Sequence, residues 1–457
     1  MKQSFTTLFI RGEALSFFWN AAVKAIGALN SLIVIAALSV RDFGLYHLTI
    51  ATLGIAAGFI PDMFDDVIFA EMGRKLGENK KSEVRRLFGE YAILKIIFAF
   101  LLSALLFAAS FTGSAYIPEG VAAYFRFLFI LPLVGVFHSL MVLFFRAKVS
   151  FSGLPIDAIR EAGKCALLVF FFFILGRKSP TEVLLAYFGS QLVVLMVLGV
   201  WCRREYRELF SGVPRDGAPR LRPLIRSYGV WAVGRYYVGQ FSKNIKLWLV
   251  NFFVGVEAVG LLSVATTLYS MVVSVIPLGT LGMLFPRETV DRERFRHIFR
   301  RSMKYALWVS LGVAFVAAIG GPMAILVIIP KYIPAIPLFL ILLVSLLFYG
   351  GFKVVRMALL ALQEQKILFL RSLSISLMSP LLLVLLLPTV GIVGGALDFV
   401  ILEAASLIIY YYYLVRSHPE LRLTPRMFLS LDDYDRTFFR GLWDKTKTAL
   451  WRRKPFS

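Results

Sequence analysis

The sequence is poor in the residues from which disulfide frameworks and metal sites are built. It contains only two cysteines, Cys165 and Cys202, so a disulfide-stabilised fold is not expected. Its four histidines are scattered along the chain and show no metal-binding spacing. Charged residues make up only 17% of the chain, and Asp and Glu together number 28 against 50 for Lys and Arg. We therefore expect no metal and no organic cofactor.

Apolar residues are abundant instead. They make up 58% of the 457 residues, and the mean hydropathy of +0.75 is typical of an integral membrane protein. In a soluble protein, a net charge of +22 would indicate a basic patch that binds nucleic acid. Here the basic residues recur between apolar runs, so nucleic acid is not an expected partner.

The apolar residues fall into runs that are long enough to cross a membrane. About 20 helical residues span the roughly 30 Å of hydrocarbon in a bilayer. The sequence therefore predicts an all-α polytopic membrane protein with twelve transmembrane helices, called spans 1 to 12. They lie near residues 14–38, 43–70, 91–111, 121–145, 158–176, 182–202, 228–252, 258–285, 303–329, 335–358, 366–388 and 391–415.

Basic residues are distributed unequally between the two sides of the predicted membrane. Every second connection is rich in Lys and Arg, as in segments 74–86, 203–226 and 287–301. The intervening connections hold few of them: Arg41, Arg177, Lys178 and Lys331. Because basic loops remain in the cytoplasm, we predict that both termini are cytoplasmic and that the basic loops contact anionic lipids.

The chain divides into two halves of six predicted spans. We expect lobes at 1–202 and 228–415, a cytoplasmic connector at 203–227 and a basic amphipathic tail at 416–457. The halves share five identities around spans 2 and 8 at an offset of 216 residues. Val40, Gly44, Leu45, Ile60 and Pro61 recur as Val256, Gly260, Leu261, Ile276 and Pro277. Transporters with such repeats bind their substrate between pseudo-symmetric halves.

Four segments carry a resemblance to a known family. They are 41–46 (RDFGLY), 256–265 (VEAVGLLSVA), 321–335 (GPMAILVIIPKYIPA) and 388–397 (PTVGIVGGAL). With these Gly- and Pro-containing motifs, the chain resembles the oligosaccharide-lipid flippases of the polysaccharide transport (Wzx-type) family. The superfamily of these proteins also contains multidrug exporters and lipid II flippases.

The resemblance implies a V-shaped, two-lobed transporter that alternates between inward-open and outward-open states, and it implies no enzymatic activity. The implied cargo is an undecaprenyl- or dolichyl-linked oligosaccharide for a surface polysaccharide, such as the O-antigen of lipopolysaccharide. The chain would then lie in the cytoplasmic membrane of a prokaryote as a monomer, within reach of the enzymes that assemble the glycan.

Charged side chains within the predicted spans face a cavity or a partner, because charge is unfavourable in hydrocarbon. Span 7 carries Arg235, Lys243 and Lys246 on one flank of the helix, and span 1 carries Lys24. Polar neighbours extend both groups: Asn20, Gln240 and Asn244. We expect these residues to line a cationic cavity that receives an anionic headgroup. The alternative is that each cation pairs with an acidic residue or extends to the interface, as we expect for Lys95.

Acidic residues in or near the predicted spans are candidates for coupling transport to Na⁺ or H⁺, or for gating. They are Asp62, Asp65 and Asp66 near the end of span 2, and Asp398 and Glu403 in span 12. Each can equally serve as the counter-ion of a neighbouring Lys or Arg. The repeat-related Pro61 and Pro277 are candidate hinges or static kinks, because proline removes a backbone donor.

These features favour translocation of a lipid-linked oligosaccharide from the cytoplasmic to the outer leaflet. The alternative within the superfamily is a multidrug or cation exporter, although a cavity lined by Lys and Arg repels cationic cargo. A membrane enzyme is not expected, because the predicted external loops are too short to hold a catalytic segment.

Overall fold

The computed structural model describes residues 5–111, 121, 124–125, 128–147, 155–214, 221–276, 285, 291–362, 364–424 and 426–429. Within these ranges, the side chains of residues 5–17, 66, 70, 226–235, 238, 365, 426 and 429 are not described. The predicted roles of the tail from residue 430, of Pro277 and of the side chains of Arg235 and Asp66 therefore lie outside the described residues.

The described chain is almost entirely helical. The first half contains α1 (Phe5–Ala37), α2 (Val40–Ala57), α3 (Asp65–Gly77), α4 (Lys81–Ala109), α5 (Leu131–Ala147), α6 (Ile156–Val169) and α7 (Pro180–Phe210). The second half contains α8 (Leu221–Phe253), α9 (Val256–Ser274), α10 (Arg292–Ile328), α11 (Ile336–Val344), α12 (Leu346–Ala361), α13 (Gln365–Val390) and α14 (Val393–Ser417). The predicted helical fold class is confirmed.

Seven helices in the described ranges are long and apolar enough to cross a membrane. An eighth is added if the segments Pro330–Val344 and Leu346–Ala361, which meet at a bend of 40°, form one broken span. The predicted count of twelve therefore stays a prediction.

The two ends of the bundle are named by the residues that they carry. We call the end with segments 74–86 and 292–301 the basic end, and the end with Ser39 and Lys331 the opposite end.

Span 2, predicted as one helix over residues 43–70, is broken in the structure. Ser39 Oγ accepts the backbone N–H of Asp42 at 3.1 Å and starts α2, because serine supplies an acceptor for the unpaired N–H groups of a first turn. The helix ends before Pro61, which cannot continue the backbone ladder. One turn of 3₁₀ helix, Asp62–Phe64, then leads into α3. The proline thus marks a bend in the chain.

Helix packing in the first half recurs in the second. Helix α1 packs on α6 as α8 packs on α13, and α6 packs on α7 as α13 packs on α14. Likewise, α4 packs on α5 and α5 on α7, as α10 packs on α12 and α12 on α14. These matching pairs are what a duplicated bundle requires. The exact lobe and connector boundaries remain predictions.

The two halves meet most closely where α2 crosses α9 at the opposite end. A Cβ atom added to Gly44 would collide with the carbonyl oxygen of Val256, and one added to Gly260 would collide with that of Val40. The sequence repeat relates Val40 to Val256 and Gly44 to Gly260, so the two contacts are equivalent. Glycine at both positions lets the two backbones touch, as small residues do in close helix crossings.

Candidate functional site

The space between the halves is closed at the opposite end by contacts that cross from one half to the other. Lys331 Nζ donates to the carbonyl oxygen of Ala36 at 2.7 Å. The hydroxyl of the buried Tyr332 lies 3.2 Å from the carbonyl oxygen of Leu38. Its ring lies edge-on to that of Phe43, with the centroids 6.1 Å apart. An access route between the halves is therefore blocked at this end in the described conformation.

Lys243 is the clearest cation of the candidate site. Its side chain is exposed, and among the described residues it has no acidic partner. On α8 it lies about 60° around the helix from Lys246 and about 100° from Asn244. Lys246 faces α14 of the second half and Asn244 faces α2 of the first half. Lys243 therefore projects into the angle between the halves, which we call the cleft.

Lys24 of α1 reaches across to the second half. Its exposed Nζ donates to the carbonyl oxygen of Ser274 at 3.3 Å. Ser274 is the last residue of α9, and the final carbonyl groups of a helix lack intrahelical partners. This bond carries no compensating charge, so the ammonium of Lys24 remains a net cation. Asn20, one turn away, is also exposed.

The prediction that Lys246 is a free cation of the cleft is wrong. Its Nζ lies 2.8 Å from Oδ2 of Asp398, whose side chain is almost fully buried. Ser379 Oγ donates to the same carboxylate oxygen at 3.1 Å. The pair joins α8 to α13 and α14 within the second half. The interpretation of Asp398 as a counter-ion therefore accounts for both residues.

Glu403, about one and a half turns further along α14, has no ion-pair partner among the described residues. Its Oε2 is buried and makes no hydrogen bond in the described structure. Arg371 and Lys353 act on its charge electrostatically, and no sequence pattern marks either residue. Arg371 is held by Ser406 Oγ at 2.6 Å and does not form an ion pair with Glu403. Glu403 thus stays a candidate coupling residue.

Asn244 and Gln240 lie in a helix contact, which corrects their prediction as free cavity residues. The Oδ1 atom of Asn244 occupies the position that a side chain on Gly54 would need, 2.5 Å from an added Cβ. Gln240 lies beside Gly58 one turn away. Trp248 Nε1 donates to Oγ1 of a threonine on α2 at 3.0 Å. We call this contact the α2–α8 seam. It is formed by Thr52 and Gly54 of α2, by Gly58 just after that helix, and by Gln240, Asn244 and Trp248 of α8.

Lys95 does not extend to the membrane interface as predicted. Its side chain is fully buried and bridges Asp62 at 2.6 Å and Asp65 at 2.8 Å. Tyr91 donates to Asp65 at 2.6 Å and lies 2.8 Å from the carbonyl oxygen of Pro61. The two aspartates therefore pair inside the first half rather than with the basic loops. Together these groups fasten the break between α2 and α3, so Pro61 is a braced kink in this conformation.

The basic loop between α3 and α4 is largely neutralised by its own acidic residues. Arg74 pairs with Glu71, and Lys80 pairs with Glu78 at 2.8 Å. The hydrogen bond from Lys80 lowers the pKa of the Glu78 carboxyl. Lys75 pairs with an acidic residue of α4 at 2.9 Å. Fewer charges of this loop are free for anionic lipid headgroups than the sequence suggests.

A family model and several solved structures match this fold. The model described as "Polysaccharide biosynthesis protein" matches residues 10–290, more than half of the chain. The chain belongs to this family. The description of the family links the chain to polysaccharide biosynthesis. No curated protein matches the chain by sequence.

The solved structures are similar in fold but distant in sequence. An inward-facing multidrug resistance MATE family transporter of the MOP superfamily matches with a TM-score of 0.70 and 15% identity, over 87% of this chain and 95% of that one. The lipid II flippase MurJ in an inward closed conformation matches with a TM-score of 0.65 and 14% identity, over 92% and 89%. A MOP superfamily transporter from Pyrococcus furiosus Vc1, described as having a binding pocket of reverse polarity, matches with a TM-score of 0.53 and 16% identity, over 90% and 94%.

These matches establish the fold of this polysaccharide biosynthesis family member as that of the V-shaped transporters of the MOP superfamily. It is a multi-pass membrane protein, and the solved structures that it resembles are described as transporters and a lipid flippase. The predicted family is confirmed.

Proposed function

We propose that the protein is a flippase that moves a lipid-linked oligosaccharide from the cytoplasmic to the outer leaflet for surface glycan assembly. The cargo is a polyprenyl-pyrophosphate-linked sugar, and the mechanism is alternating access of the cleft between the halves. The observation that carries the proposal is the exposed ammonium of Lys243 in the cleft, which has no acidic partner within the described ranges. A pyrophosphate headgroup supplies the anion that this position lacks.

The physical task is to carry a polar, anionic headgroup through hydrocarbon. A hydrated cleft with net positive charge replaces the headgroup's interactions with water, while the isoprenoid chain stays in the bilayer. Lys243 and Lys24 provide this charge because neither has an acidic partner in the part of the chain that the structure describes. An inside-negative membrane potential also favours outward movement of anions, by about 2.3 kcal/mol per charge per 100 mV. Na⁺ or H⁺ coupling through Glu403 is a further part of the proposal.

A flipping assay in proteoliposomes tests the proposal. A fluorescent polyprenyl-pyrophosphate oligosaccharide in the inner leaflet becomes accessible to a membrane-impermeant quencher only when it is flipped. We expect Lys243→Ala to lower the flipping rate roughly tenfold to hundredfold, since a hydrogen bond to a charged group contributes about 1.5–3 kcal/mol. Lys243→Arg should retain most activity, and Arg177→Ala, an exposed cation near α7, should have no effect.

Full flipping by Lys243→Ala at normal protein level would contradict the proposal. The alternative hypothesis, a multidrug exporter, predicts the opposite results. Such a protein would confer drug resistance on overexpressing cells, and its export of cations would improve when Lys243 is neutralised.

A further inference from the structure

A second chamber lies on the bilayer side of the α2–α8 seam. Its volume is about 690 Å³, within the range of roughly 300–1,000 Å³ found for sites that hold drug-sized ligands. Its walls are the end of α2, the middle of α8 and the part of α13 around Pro380. Its lining includes two small residues, Gly58 just after α2 and Ser376 on α13. We call it the lateral pocket.

The lining determines what kind of molecule the lateral pocket takes. Its most exposed side chains are apolar: Phe59, Phe241, Leu377 and Leu381, each more than half exposed. Among the described residues that line it, none carries a charged side chain. These residues belong to segments predicted to lie in hydrocarbon, and an exposed apolar concavity there fits a hydrocarbon chain rather than a headgroup.

The lateral pocket lies close to Lys243, and this position favours the hydrocarbon chain of the cargo over an ordinary membrane lipid as its occupant. Phe241 and Lys243 lie about 3 Å apart along the axis of α8 but point to opposite sides of the seam. A chain in the lateral pocket would therefore lie at the depth of Lys243, with only the seam between them. The seam is made of polar side chains packed on glycines, so its separation exposes hydrogen-bonding groups rather than an apolar core.

We propose that the lateral pocket binds the isoprenoid chain of the cargo and that the α2–α8 seam is the lateral gate through which the headgroup reaches Lys243. This inference rests on the proposed function, because it assigns the apolar part of the same cargo. The chain remains on the bilayer side while the seam parts beneath the fixed crossing of α2 and α9.

Photolabelling of the purified, full-length protein in nanodiscs tests the assignment. The probe is a diazirine analogue of a long-chain polyprenyl phosphate, and the comparison probe is a phospholipid with a diazirine in one acyl chain. We expect the polyprenyl probe to label segments 237–242 and 376–381, and excess unlabelled polyprenyl phosphate to compete. Leu377→Trp should fill the pocket and lower this labelling about tenfold, equivalent to 1.4 kcal/mol. Leu385→Trp, exposed on the same helix outside the pocket, should leave it unchanged.

Equal labelling of these segments by the phospholipid probe, or polyprenyl labelling that Leu377→Trp does not reduce, would overturn the inference. Should Leu377→Trp fail to fold, Phe241→Ala provides the same comparison by removing part of the wall. Retained labelling in Lys243→Ala with flipping lost supports separate sites for chain and headgroup. If the protein flips lipid normally but the pocket is not labelled, the inference is overturned and the proposed function is retained. If the pocket is labelled specifically but the protein never flips lipid, only the proposed function is contradicted.

Discussion

Gly44 of α2 and Gly260 of α9 lie against each other where the two halves cross, and neither position has room for a side chain. Each glycine faces the carbonyl oxygen of the valine that starts the other helix, Val256 or Val40. The four residues form two equivalent pairs at the sequence offset of 216 residues. The pseudo-symmetry axis of the bundle therefore passes through this crossing, and the closure of the opposite end depends on it.

Gly260→Leu should force α2 and α9 apart and open the closed end. Because the side chain would meet backbone rather than a flexible neighbour, the helices must separate. We expect a lower melting temperature in detergent and faster labelling of Ser39→Cys by a membrane-impermeant maleimide. Gly312→Ala is the matched control, since a Cβ at this position in α10 meets nothing within 4 Å. That substitution should be neutral or stabilise the helix by about 0.5–1 kcal/mol. Unchanged labelling in Gly260→Leu would show that the crossing does not hold the end closed.

Lys95→Met should strongly destabilise the first half. It leaves Asp62 and Asp65 without their shared cation, and removing one partner of a buried ion pair costs about 3–5 kcal/mol. Adding Asp65→Asn should recover part of this loss, because one of the two uncompensated charges is removed. Thermal unfolding followed by tryptophan fluorescence measures both variants. Lys80→Ala, which breaks an exposed ion pair with Glu78, should leave the melting temperature unchanged. Equal melting temperatures for Lys95→Met and the parent would mean that the cluster does not brace the break.

The sequence predicted the parts of this architecture that depend on composition and local pattern. Alignment of the two halves identified Gly44 and Gly260 as equivalent positions. The chemistry of proline identified Pro61 as a bend, and both inferences need only the local sequence. The helical wheel of α8 placed Lys243 and Lys246 on one flank. It could not say which neighbour each residue faces, since that depends on how helices distant in sequence pack together.

Partners distant in sequence account for the predictions that were wrong. Lys95 lies 30 residues from Asp65, and only the fold of α3 back onto α4 brings them together. Asp398 lies 152 residues from Lys246, so its role as a counter-ion was one alternative among several. The lateral pocket has no sequence signal at all, because it is formed by three helices from both halves.

The pair of Lys246 and Asp398 offers a way to separate a structural role from ion coupling. Lys246→Met alone should destabilise the second half by about 3–5 kcal/mol, because the buried carboxylate of Asp398 loses its counter-ion. Lys246→Met combined with Asp398→Leu removes both charges, and such replacements are often neutral or stabilising.

If the pair is structural, the double variant should flip lipid at the parental rate and respond to imposed Na⁺ and H⁺ gradients as the parent does. If Asp398 carries the coupling ion, the double variant should fold normally but lose that response. We expect the first result, since Oδ2 of Asp398 is already bound by the ammonium of Lys246 and the hydroxyl of Ser379, whereas Glu403 has no ion-pair partner among the described residues.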